Sequence, residues 1–156
     1  EPDKGTVVGY SLYNSLKLTT QVAKTIEVLS SEVEQQTKTI GGVLLKSCDL
    51  HYTPEVKNMI HMLDVLQNFE DIQDLNYRQF ISFCKDFANG YNEKAFGYVL
   101  TKQRYQKKTI SFLRNILDYY GVENSLNKHL SALSEYRHPT MEEIYEAAYF
   151  LKDTEI

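Results

Sequence analysis

The chain has 156 residues, of which 42% are hydrophobic and 24% charged, a composition typical of a folded globular protein. Its formal net charge is −4, so the overall charge does not indicate binding to nucleic acid or to an anionic membrane. No apolar run reaches the ~18 residues that a membrane-spanning helix needs. The two cysteines are too few for a disulfide scaffold and favour a reducing, cytoplasmic location.

The first part of the chain is predicted to form helices. Apolar residues recur at intervals of three, four or their multiples over residues 11–36, and the stretch VLLKSC (43–48) resumes a helix. Thr53 suits the N-cap and Pro54 the first position of the next helix, which runs to about Leu66. The pattern of LNYRQFISFCKDF (75–87) predicts a further helix with Phe80, Ile81, Cys84 and Phe87 facing inward.

The second part begins after a turn-forming segment, ANGYN (88–92), which is the predicted boundary between two halves. Helical patterns follow in the segments 93–100, 110–122, 125–133 and 141–153. We therefore predict an all-α fold of two four-helix lobes, residues 1–89 and 90–156. A single helical bundle is the alternative.

Four apolar residues mark a repeat. Ile40, Leu75, Ile110 and Met141 are separated by 35, 35 and 31 residues, and each lies between a polar run and a helical pattern. A unit of helix, loop and helix is the layout of an EF-hand. The segments TPEVKNMIHML and LNYRQFISFCKDF look like an even-numbered hand of the calmodulin and myosin light-chain superfamily. The segments EKAFGYVL and FLRNILDYYG are similar to the two helices of an odd-numbered hand.

The loops of this degenerate EF-hand-like repeat lack calcium ligands. A working loop needs oxygen-bearing side chains at positions 1, 3 and 5 and a glutamate at position 12. With Met141 at position 8, the last loop instead has Ser134, Tyr136, His138 and Tyr145 there. The loop TKQRYQKKT is cationic and would repel calcium. We predict no metal site and no cofactor.

The resemblance implies a non-catalytic, calcium-independent subunit, comparable to a light chain or calmodulin, that binds an amphipathic, IQ-type helix of a larger protein such as a myosin heavy chain. Methionine and aromatic side chains suit such a groove because they adapt to an apolar partner. The predicted partner-binding residues are Met59, Met62, Phe80, Phe83, Phe87, Phe112, Tyr145 and Tyr149.

A basic segment supports the alternative function, that of a helical-bundle adaptor or sensory domain. Between residues 102 and 114 the chain has no acidic residue, and this segment would contact an acidic partner. Its basic residues are Lys102, Arg104, Lys107, Lys108 and Arg114. The four histidines show no metal-ligand spacing, and no nucleophile motif is present, so we predict neither an enzyme nor a nucleic-acid partner.

Overall fold

The computed structural model describes residues 4–151, and it shows a mixed α/β protein. The first third of the chain forms a four-stranded sheet with the strand order β1-β2-β4-β3. Strand β1 is antiparallel to β2, β2 is parallel to β4, and β4 is antiparallel to β3. The elements of this part are β1 (Gly5–Val8), α1 (Gly9–Ser15), β2 (Ile26–Ser30), β3 (Thr37–Ile40) and β4 (Val43–Ser47).

The predicted all-α class is therefore wrong, as is the division into two four-helix lobes. Of residues 11–36, only those up to Ser15 are helical, and the stretch predicted as a helix at 43–48 is strand β4. Residues 26–30 alternate between the two faces of the sheet, because Glu27 and Leu29 point towards the helices while Ile26 and Val28 point away. An apolar residue at every second position is the spacing of a strand, and here it coincides locally with helical spacing.

A glycine pair fixes the hairpin between β3 and β4. Gly41 and Gly42 have φ angles of 53° and 81°, and Ile40 pairs with Val43 on either side of them. A two-residue turn with two positive φ angles matches the right-handed twist of the strands it joins, and glycine adopts these angles without strain. The apolar residue that we assigned to a repeated loop, Ile40, is thus the last residue of a strand.

The remaining elements are helical. The α-helices are α2 (Pro54–Gln67), α3 (Tyr77–Asn89), α4 (Glu93–Leu100), α5 (Lys107–Tyr119) and α6 (Met141–Glu146), with a π-helical turn at Ala147–Leu151. The predicted helices that correspond to α2, α3, α4 and α5 are confirmed. Thr53 caps α2 as predicted, since its hydroxyl accepts from the backbone N–H of Val56. The predicted helix at 125–133 is only a 3₁₀ turn, Leu126–His129, and part of the last predicted helix, residues 152–153, lies outside the described residues.

Helix α2 is the centre of the core. It packs against β1, α1, α3, α4 and α5, so elements on both sides of the predicted boundary at residues 89 and 90 share one core. Four of its apolar side chains have no exposed surface: Ile60, Met62, Leu63 and Val65. Beside it, the rings of Phe69, Phe80 and Phe112 form an aromatic cluster with centroids 5.1 to 6.3 Å apart.

Two polar contacts attach the β1–α1 segment to α2. The hydroxyl of Thr6 lies 2.7 Å from Nε2 of His61, and the backbone N–H of Gly9 donates to Oδ2 of Asp64 at 3.1 Å. The N-cap residue of α1 is Val8, which has no side-chain oxygen, so Asp64 supplies the acceptor that this helix end needs. Gly9 has a φ of 70°, and a Cβ there would lie 2.2 Å from Oε2 of Glu27.

We expect the Gly9→Ala change to destabilise the protein by about 1–3 kcal/mol, chiefly because alanine is strained at a φ of 70°; the carboxylate of Glu27 must also move aside. Gly97 is the matched control. It lies within α4, its φ is not positive, and a Cβ there meets no atom within 4 Å. The Gly97→Ala change should therefore stabilise the protein by up to ~1 kcal/mol. Urea unfolding followed by circular dichroism measures both, and equal stabilities of the two variants would contradict the role of Gly9.

Candidate functional site

The predicted partner-binding residues separate into three groups. Met59, Met62, Phe80 and Phe112 are at most 2% exposed and belong to the core, so they present no surface to a partner. Phe83 and Phe87 are half-buried and line a cleft between α2 and α3. Tyr145 and Tyr149 lie elsewhere, beside α5 and α3.

The cleft between α2 and α3 has a volume of about 250 Å³. Counted from Phe83, the residues Asp86, Phe87 and Gly90 come three, four and seven positions later, so all four lie on one side of α3 and its C-cap. Helix α2 contributes Asn58 and His61, which are three residues apart. Leu16, just after α1, also lines the cleft.

The lining combines an apolar floor with polar groups. Leu16, Phe83 and Phe87 provide the floor, while Asn58, His61 and Asp86 provide hydrogen-bonding groups. A concave, largely apolar site with a few oriented polar groups is the usual form of a binding site. Its volume is below the ~300–1,000 Å³ of sites that enclose whole small molecules, so the cleft suits a single side chain or a fragment of similar size.

His61 is held in place and kept neutral. Its Nε2 is engaged by Thr6, which fixes the orientation of the ring and leaves Nδ1 as the nitrogen available to a ligand. Burial lowers the pKa of His61 to about 4, and the nearby Lys57 acts in the same direction. At neutral pH the imidazole is therefore uncharged, and the cleft contains one charged side chain, the exposed carboxylate of Asp86.

A second aromatic surface surrounds Arg78. The guanidinium of Arg78 lies 4.6 Å from the ring centroid of Tyr149, and Tyr149 stacks on Tyr145 at 6.1 Å. The hydroxyl groups of Tyr145 and Tyr120 are 3.0 Å apart. Tyr149 is 39% exposed and the neighbouring Phe150 67%. Nε of Arg78 also donates to the carbonyl oxygen of Ala148, so the two predicted residues, Tyr145 and Tyr149, belong to the contacts that attach the C-terminal turn to α3.

The predicted basic residues lie at the start of α5 and before it. Lys102 and Arg104 are exposed in the linker after α4, and Lys107 and Lys108 occupy the first turn of α5. Lys108 lies 3.7 Å from Glu70. Arg114 points elsewhere, because it donates to Asn127 and lies 4.0 Å from Asp118.

The sequence reading missed the polar group around Asp64. Asp64 is buried beneath β1 and α1, and burial raises the pKa of its carboxyl even though Gly9 and Tyr13 donate to it. Burial likewise raises the pKa of Tyr13. Lys46 lies 3.1 Å from Glu27 in the same region. Asp64 caps α1 and each of its contacts is internal, so we assign it a structural role.

Ser111 and His138 have the hydrogen bonding of an activated nucleophile without its accessibility. Nδ1 of His138 lies 2.8 Å from the carbonyl oxygen of Pro139, so this nitrogen carries the proton. Nε2 then accepts from the hydroxyl of Ser111 at 2.9 Å, as a general base would. Ser111 is only 4% exposed, and the ring of His138 stacks on Phe112 with a 5.0 Å centroid distance. The pair therefore satisfies buried polar groups and presents no nucleophile to a substrate.

Comparisons with known proteins do not add a function. No family model, curated protein or solved structure matches the chain. Within residues 4–151, no helix combines the length and apolarity needed to cross a bilayer. The same residues include no group of three or more His, Cys, Asp or Glu side chains placed to hold a metal ion.

The burial of His61 predicts a specific pH dependence of stability. Between pH 6.5 and about 4 the unfolded chain binds a proton at this residue and the folded protein does not, so the free energy of unfolding falls as the pH falls through this range. A pKa difference of this size corresponds to roughly 3 kcal/mol. Between pH 7 and about pH 4.5, we expect the free energy of unfolding to fall by about 2 kcal/mol less in the His61→Gln protein than in the native protein.

His51 is the matched control because it is exposed, and the His51→Gln protein should follow the native pH profile. Urea unfolding at the two pH values measures all three proteins. Since the buried Asp64 is common to them, its opposite contribution cancels. Identical pH profiles for the native and His61→Gln proteins would contradict the burial of a neutral His61.

Proposed function

We propose that this protein is a non-catalytic recognition domain whose cleft between α2 and α3 accepts an apolar side chain from an amphipathic helix of a larger protein. The observation that carries the proposal is the cleft, with its apolar floor of Leu16, Phe83 and Phe87 and its polar edge. A light-chain architecture is not part of the proposal, because the fold that would give it is absent from residues 4–151.

The shape of the cleft supports a helical partner. The lining residues of α3 extend from Phe83 to Gly90, which is about 10 Å at 1.5 Å per residue, or two helical turns. A partner helix that lies along this length presents side chains at intervals of three or four residues, so one or two of them reach the floor. The small volume matches such anchors better than it matches a free metabolite.

The charge at the cleft supports a basic partner. Asp86 is exposed, and it has no ion pair with another residue of the described chain. With His61 neutral at physiological pH, the carboxylate of Asp86 is the one charged group that lines the cleft. A lysine or arginine beside the apolar anchor of the partner would pair with it. The expectations of a cytoplasmic location and of no nucleic-acid partner belong to this proposal, and the two buried, unpaired thiols of Cys48 and Cys84 suit a reducing compartment.

Filling the cleft tests the proposal. Gly90 lines it, has an ordinary φ of −114°, and a Cβ there meets no atom within 4 Å. The Gly90→Leu protein should therefore fold with its cleft occupied by the new side chain. The probe is a panel of fluorescein-labelled helical peptides with leucines on one face and lysines on the other. We expect the native protein to bind members of the panel with micromolar affinity, and Gly90→Leu to weaken binding at least tenfold, or about 1.4 kcal/mol.

Gly97→Leu is the control, because Gly97 is also exposed and unobstructed but lies on α4, away from the cleft. Its affinity should stay within about twofold of the native value. Asp86→Lys should weaken binding and remove much of its salt dependence, whereas the same reversal at the exposed loop residue Glu123 should not. Absence of binding by the whole panel, or equal binding by Gly90→Leu and native protein, would reject the proposal.

A second candidate function uses the basic residues near α5. Lys107 and Lys108 lie at the positive end of the helix dipole, where they cost stability, and the first turn has no acidic residue to offset them. Together with Lys102 and Arg104 they form a cationic surface suited to an acidic partner.

If this surface is the functional one, the Lys107→Glu, Lys108→Glu protein should lose most of its affinity for a polyglutamate peptide at low salt. At high salt it should differ little from the native protein. Lys128→Glu, Arg137→Glu makes the same charge change at other exposed positions and controls for net charge. Equal loss in both double variants would show that the attraction is non-specific and would reject this second function.

A further inference from the structure

The sheet has an uncovered apolar face. Helices α1 and α2 pack on the inner face of β1 and β2, which carries Thr6, Val8 and Leu29, all less than 9% exposed. On the outer face the strand pairing places aliphatic side chains in two adjacent rows. One row is Val7, Val28 and Leu45; the other is Ile26, Val43 and Ile40.

The distribution of residues is inverted in the hairpin of β3 and β4. Its inner side carries Thr37, Thr39 and Lys46 with one aliphatic residue, Leu44. Its outer side carries Ile40, Val43 and Leu45 with one charged residue, Lys38. In a sheet with one solvated face, the apolar residues normally point to the side that the protein covers. Here Ile40 is 54% exposed and Ile26 45%, so the aliphatic side of the hairpin faces water in the isolated chain. An apolar patch of this kind marks an interaction surface.

The outer face has both a projection and a hollow. Ile26 and Ile40 are its most exposed aliphatic side chains and form the projection. The hollow, of about 550 Å³, lies over Val28 and Leu45, where the loop between β2 and β3 folds back and buries Val33. The two features occupy neighbouring rows. Two copies can face each other through a twofold axis that lies in the interface and runs across the strands. This axis places the projecting row of each copy over the hollow row of the other, which is the self-complementarity that an isologous interface requires.

The charges around the hollow also permit self-association. Glu34 and Lys38 both line it, one of each sign, and neither forms an ion pair with another described residue. Two identical faces that each carry one positive and one negative side chain do not repel each other. A face that carried charges of a single sign would repel its own copy.

We propose that the outer face of the sheet is a homodimer interface, in which a second copy of this chain covers the two aliphatic rows. At 3.3 Å per residue and 4.8 Å between strands, four short strands cover only about 300 Å², below the ~800 Å² per partner of a standard interface. The dimer is therefore weak and depends on protein concentration.

Sedimentation equilibrium from about 10 μM to about 1 mM protein tests the proposal, since the association constant of a small interface falls in this range. The native protein should form dimers reversibly. Ile40→Lys, on the outer side of β3, should weaken association at least tenfold, whereas Thr39→Lys, the adjacent residue on the inner side, should leave it within about twofold. Ile40 and Thr39 are both exposed and lie on the same short strand, but they point to opposite faces. A difference between the two variants therefore reports on the outer face and not on a general disturbance of the strand.

Charge reversal provides an independent measurement. Glu34→Lys and Lys38→Glu each leave two like charges on every copy, so both single variants should associate more weakly than the native protein. The double variant restores the balance and should recover association. If the face instead bound a different protein whose surface carried charge of a single sign, one of the two single variants would bind that protein more tightly than the native chain does. A protein that stays monomeric to about 1 mM, or an Ile40→Lys protein that dimerises as the native one does, would overturn the proposal.

Discussion

The structure depends on how helix α2 satisfies the two ionisable side chains that it carries into the interior. His61 and Asp64 are one turn apart, and both are half-buried, so that leaving either without a hydrogen-bond partner would cost stability. Both find their partners in the β1–α1 segment, His61 at Thr6 and Asp64 at Gly9. The apolar contacts of α2 are numerous but not directional, so these two hydrogen bonds orient the β1–α1 segment on α2. Further hydrogen bonds from Tyr10 to Asp71 and from Thr19 to Gln73 attach the same part of the chain beyond α2.

The same arrangement produces the cleft. Because Thr6 holds Nε2 of His61, the ring cannot turn away to fill the space beside Phe83 and Phe87. Gly90 ends α3 without a side chain, which leaves that end of the cleft open. The cleft is therefore a consequence of packing His61 of α2 against the sheet. The partial burial of His61 in this packing also keeps its imidazole neutral.

The sequence predicted the helical layer and missed the sheet, for identifiable reasons. From residue 54 to Leu100 the apolar period, the cap Thr53 and the sparing use of glycine all point to helices, and the structure contains them. Before residue 48, strand and helix spacing coincide over short stretches. The decisive signal was available in TKTIGGVLLKS, where a glycine pair lies between β-branched residues, the pattern of a two-residue hairpin.

The candidate site could be predicted only in part. Phe83 and Phe87 were identified because methionine and aromatic side chains suit an apolar groove. The same reasoning placed Phe80 in the groove, but Phe80 points into the core beside Phe69 and Phe112. His61 and Asn58 gave no signal, because an isolated histidine on an apolar helix has no distinctive spacing. Its role depends on Thr6, which is 55 residues away in the chain, and such a contact is invisible to local patterns.

Strand β1 lies between the two surfaces that the proposals use. Thr6 points inward to His61 and the cleft, and its neighbour Val7 points outward to the aliphatic rows, since successive residues of a strand face opposite sides. A substitution in β1 would therefore disturb both surfaces and could not separate them. Changes in the hairpin of β3 and β4 and at the end of α3 act on elements that share no residue pairing, so their effects should be additive. This independence allows cleft binding and self-association to be measured in one protein without either result determining the other.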